Sequence, residues 1–113
     1  METGKFIGLL FQSRDMMHIQ HLQTTSFAEH KALGGYYDGI LDLTDSFTEV
    51  YFGRNKRIPI VIPESKVANA ADHLKSMQKL IDGERNNYPS ELQNIMDEML
   101  ALINKTLYLL TLV

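Results

Sequence analysis

The chain has 113 residues, 44% of them hydrophobic and 22% charged, with a formal net charge of −3; this is the length of one domain and a composition able to bury a core, which excludes a disordered protein. There is no cysteine, so disulfide frameworks, thiolate metal sites and cysteine nucleophiles are excluded, and a reducing cytoplasm is the compartment that fits. The negative charge and the lack of a basic tail disfavour DNA as a partner, and no apolar run reaches the roughly 18 residues of a membrane-spanning helix.

The N-terminus, "METGKFIGLLFQSRD", has neither a basic n-region nor a small-residue cleavage site, so no targeting segment is expected. From Phe6 to about Gln23 the residues Phe6, Ile7, Leu10, Phe11 and Met17 recur at steps of three and four, which predicts a first amphipathic helix. Ser26 with Glu29 three positions on reads as a capping box and starts a second helix at Phe27. Leu33, Tyr37, Ile40, Thr44, Phe47 and Tyr51 carry that helix to about Phe52, with Gly53 as its terminator and Gly34-Gly35 as its weak point.

"GRNKRIPIVIPE" holds two prolines and a β-branched run and predicts an extended crossover. A third stripe, Val67, Ala70, Ala71, Leu74, Met77 and Ile81, predicts a helix from about Glu64 to Ile81, stopped by Asp82-Gly83. Ser90 with Gln93 reads as another capping box, opening a fourth helix through Leu92, Ile95, Met96, Met99, Leu102, Ile103, Leu107 and Leu110. Two helical hairpins joined by a longer crossover describe an all-α, ferritin-like four-helix bundle, expected to be one domain over residues 1–113. The apolar C-terminus "LYLLTLV" predicts burial by a neighbouring subunit, hence a homodimer or higher homo-oligomer.

Several polar residues sit beside or within these apolar stripes. His18 falls in the stripe of the first helix with His21 one turn on, while His30, Asp38, Asp45 and Glu49 share one side of the second. Imidazoles and carboxylates are ligands suited to iron, manganese or zinc. In "HIQHLQTTSFAEHKALGGYYDGILDLTDSFTE", His30 follows His18 by twelve positions, Asp45 follows position 34 by eleven, and Glu49 follows Asp45 by four. This spacing resembles the ferroxidase signature of the Dps family, the starvation-inducible DNA-binding branch of the ferritin-like proteins.

The resemblance implies a metal site between two subunits, with His18 and His30 from one chain and Asp45 and Glu49 from the other, and oxidation of ferrous iron as its activity. It departs at Gly34, where the family has Asp, leaving Asp38 one turn on as the substitute; Ile19 stands where a tryptophan is common. It covers roughly residues 6 to 53, and the short chain is similar to ferritin-like proteins encoded by phages. His21 is expected at most as a partner of a ligand.

Blander readings stay open beside this one. His18 and His30 can be interior histidines bonded to carbonyls, and Asp38, Asp42, Asp45 and Glu49 a solvated face. His73 reads as a surface residue, Arg54, Lys56 and Arg57 as a solvated loop, and the six methionines as core filling. The rival function is a small helical interaction protein that kept the bundle and lost the metal chemistry. A hemerythrin-like site ranks last, since it wants more histidines over all four helices.

Overall fold

A computed structural model describes residues 1–65 and 68–113. The helices are α1 (Thr3–Gln23), α2 (Phe27–Arg54), α3 (Ala70–Glu84) and α4 (Ser90–Leu109), with a 3₁₀ turn at Arg85–Asn87. No strand occurs among the described residues.

The helix ends follow from local hydrogen bonding and correct the sequence reading in five places. Ser26 Oγ accepts from Glu29 N at 3.2 Å as expected, but the Glu29 carboxylate turns to Thr24 and Gln20 instead of reaching back to Ser26. Gly53 does not stop α2; the helix runs on to Arg54, whose guanidinium meets Glu91 at 2.6 Å and ties the end of α2 to the start of α4. The third helix starts at Ala70, where Asn69 caps Asp72 N at 2.8 Å, and not at Glu64; it also passes through Gly83 to Glu84. Val67, expected in its stripe, lies outside the described residues. Pro89, not Ser90, precedes α4, and Gln93 donates to the Arg85 carbonyl in place of a capping box.

The order of packing is α1 on α2, α2 on α4 and α4 on α3, with α3 more lightly on α1. Contacts between helices give the directions. Thr3 bonds Tyr88 and Arg54 meets Glu91, so α1 begins where α2 ends and α4 begins. The terminal amine of Met1 lies 3.6 Å from Glu84, and Ser13 bonds His73, so α3 runs antiparallel to α1. Every helix is thereby antiparallel to both of its neighbours.

One hydrophobic cluster joins all four helices, including Phe6 and Leu10 of α1, Leu33, Tyr36 and Phe47 of α2, Leu74 and Ile81 of α3, and Met96 and Ile103 of α4. Tyr36 is fully buried where the periodicity had placed Tyr37, which is half-exposed instead. At one end Phe47 stands edge-on to Phe6 and to Tyr88, each pair with centroids 5.3 Å apart. No described helix is long and apolar enough to cross a membrane.

The crossover positions itself on two glycines. A Cβ on Gly4 would collide with the Pro59 carbonyl, and one on Gly8 with the Val61 carbonyl; Val61 N donates to Gly4 O at 3.1 Å, and the Gln12 amide donates to Pro63 O. Pro59, Val61 and Pro63 thus meet successive turns of α1. Four helical residues rise about 6 Å and two extended residues about 6.6 Å, so the crossover is extended and climbs alongside α1.

Candidate functional site

The predicted histidines gather at the α1–α2 turn. His21 Nδ1 donates to the His30 carbonyl at 2.5 Å, and His30 Nδ1 donates to the His21 carbonyl at 2.7 Å. The two rings stack with centroids 3.8 Å apart and 15° between planes. His21 O belongs to the last turn of α1, whose carbonyls have no partner within the helix, so the His30 ring completes that helix end. His18 stacks on Tyr37 at 4.0 Å and 6°, and Arg14 lies 5.5 Å from the same Tyr37 ring. All three imidazoles are half-buried.

Gly34 has a packing role here. A Cβ at Gly34 would stand 3.2 Å from His21 Cε1 and 3.4 Å from His21 Nδ1. The glycine that interrupts the Dps-like pattern therefore lets the His21 ring lie against the backbone of α2. Gly35, by contrast, faces open space.

A carbonyl can only accept, so the Nδ1 of His21 and of His30 carries a proton, and in the neutral ring it is Nε2 that keeps the lone pair with which imidazole binds metal. The two cannot share an ion. Metal–nitrogen bonds of about 2.0–2.1 Å lie in the ring plane, and nearly parallel rings stacked face to face do not bring their planes together on one point.

The acidic candidates lie elsewhere. Asp38, Asp42, Asp45 and Glu49 are all exposed, and none forms an ion pair among the described residues. At 1.5 Å per residue, Asp45 is roughly 22 Å and Glu49 roughly 28 Å along α2 from His30. One chain thus brings His18 near His30 but neither near Asp45 and Glu49, and no three His, Asp or Glu side chains among the described residues are placed to hold a metal ion. Asp38 is closer, roughly 12 Å along the helix.

A second polar group escaped the sequence reading. Ser13, fully buried, places its Oγ 2.7 Å from Tyr36 Oη and 2.7 Å from His73 Nε2. His73 is not a free surface residue: it reaches in from the first turn of α3, and burial pushes its pKa below the ordinary histidine value. Burial also pushes the Tyr36 hydroxyl well up. The signal in the sequence was Ser13 itself, a polar residue midway between Leu10 and Met17 in the α1 stripe. A hydroxyl there requires a partner from another helix.

An uncharacterized 14.6 kDa protein of Enterobacteria phage T4, from the mobD-ri intergenic region, is 29% identical over 116 residues, spanning 98% of this chain and 89% of that protein. No solved structure matches. A family of unknown function, DUF5856, matches residues 21–110, from the His21 clasp to the end of α4, and the chain belongs to that family.

Proposed function

We propose that this protein is a small helical binding protein of ferritin-like layout that acts by contact rather than chemistry, its histidines clasping the α1–α2 hairpin. The observation that carries the reading is the His21 ring against Gly34. It occupies the place where the Dps-like pattern has a carboxylate, so a two-iron centre would lack both that ligand and the room for it. The ferritin-like layout is supported by the antiparallel neighbours and by a crossover that climbs alongside α1. Contact is supported by Ile19, Leu22 and Phe27, which are 54%, 68% and 74% exposed around the turn. Large apolar side chains held in water mark interaction surfaces. The acidic stripe of α2, without ion pairs among the described residues, and the exposed Tyr108 and Leu112 near the C-terminus add to them.

One observation favours a second reading. The carbonyl anchor on His30 Nδ1 frees Nε2 for a single divalent ion, iron, manganese or zinc, shared between two copies. His18 and His30 of one copy and Asp45 and Glu49 of the other would hold it, Asp38 assisting; bound there, it would supply Lewis acidity or, as ferrous iron with oxygen or peroxide as the electron acceptor, ferrous oxidation. Anaerobic calorimetric titration with ferrous iron, manganese and zinc separates the two. No saturable binding is the expected result. Saturable binding that vanishes in the His18→Ala, Glu49→Ala double variant would overturn the contact reading in favour of the second.

A further inference from the structure

The crossover presents one used edge and one unused edge. In an extended chain the backbone groups of alternate residues point to opposite sides. Pro59, Val61 and Pro63 direct their carbonyls at α1, engaging Gly4, Gly8 and Gln12. The prolines therefore lack donors on the side where a helix backbone would leave a donor unpaired. The backbone groups of Ile58, Ile60 and Ile62 face the other way. None of their amides or carbonyls makes a hydrogen bond among the described residues, and the side chains of Ile60 and Ile62 are 41% and 62% exposed. Three consecutive free pairs on an apolar, β-branched segment form an open strand edge, which folded proteins ordinarily cover.

The geometry points to a second copy of this chain as the cover, the two Ile58–Ile62 segments pairing antiparallel about a two-fold axis through Ile60. Ile60 then faces its own counterpart, and Ile58 faces Ile62 of the other copy. Each such pair exchanges both hydrogen bonds, so the three pairs use every free backbone group of the edge, and no proline falls on it. The register also opposes Lys56 of one copy to Glu64 of the other. Both are exposed, and opposite charges across a strand pair are favourable. A segment that meets its own sequence reversed with matched apolar residues and matched charges is self-complementary, the condition for a two-fold interface. The interface uses the crossover alone and is independent of the reading of the histidines.

Sedimentation across a concentration series, with amide exchange at Ile58, Ile60 and Ile62, tests it. The expected result is a dimer in which these three amides exchange more slowly as concentration rises. Ile60→Pro removes a donor that the chain itself does not use and leaves an already extended segment extended. It should weaken dimerisation by about thirtyfold, the loss of two bonds of about 1 kcal/mol, with helical circular dichroism unchanged. Lys56→Glu should weaken the dimer, and adding Glu64→Lys should restore it. A chain that stays monomeric, a dimer indifferent to Ile60→Pro, or free exchange at the three amides within the dimer would overturn the proposal.

Discussion

Replacing Gly8 by alanine is expected to cost about 3 kcal/mol, at the upper end for overpacking a close contact. A single methyl at this position meets the Val61 carbonyl, and the obstacle is backbone on both sides, so no rotamer relieves it. The crossover must lift from α1, giving up the Val61–Gly4 and Gln12–Pro63 hydrogen bonds with it. For a domain of this size the melting temperature should fall by roughly 10 °C or more. Gly35→Ala is the control. It sits in the same kind of helix interior with nothing within 4 Å, so the change should stabilise by about 0.5–1 kcal/mol through helix propensity. Thermal melts of the two variants, moving in opposite directions, check that the glycines of α1 are fixed by the crossover and not by their own flexibility.

Ser13→Ala should have the next largest effect, about 2 kcal/mol of destabilisation, because it leaves the buried Tyr36 hydroxyl without a partner and strips His73 Nε2 of its own. The same group carries a pH dependence. The His73 pKa is depressed in the folded state, so protons bind the unfolded chain more readily. The contribution of neutral His73 is therefore fully present above the unfolded value of about 6.5 and is lost as pH falls through the depressed folded value. Urea melts between pH 7.5 and 5 should show stability declining on the acid side in the parent. The decline should be smaller in His73→Gln, which can still meet Ser13 but does not titrate.

The helices were legible because their apolar steps of three and four are long and regular, and Ser26 gave the start of α2 outright. The ends were less legible because glycine was read as a stop. Gly53 and Gly83 lie within helices, since the neighbouring turns are held by tertiary contacts such as Arg54 with Glu91. Asn69 was missed as a cap because the stripe was extended back to Glu64, whereas the hydrogen-bonded path along α1 keeps Glu64 and Ser65 out of helix. The histidine cluster was legible as a gathering of side chains. What spacing could not give was orientation: a ring that donates to a carbonyl and stacks on its neighbour has the same sequence signature as a ring turned toward a metal. Ser13, Tyr36 and His73 come from three helices, and only their packing order brings them together.

Gly34 ties these strands together. As a gap in a ligand pattern it is only an absence, whereas against the His21 ring it is a fitted surface. The reciprocal bonds of His21 and His30 close the α1–α2 turn from both sides, finishing one helix and locking the entry of the next. A clasp of that kind places Ile19, Leu22 and Phe27 at a fixed turn in water, as a contact surface requires.

The central claim, that these histidines clasp the hairpin and do not hold metal, is tested most directly by nitrogen-15 resonance of the imidazoles at neutral pH, before and after adding zinc or manganese. The account predicts that His21 and His30 both carry a proton on Nδ1, and that neither spectrum changes with metal. An Nδ1 without a proton in either ring, or an Nε2 resonance that moves in saturable proportion to the metal added, would contradict it.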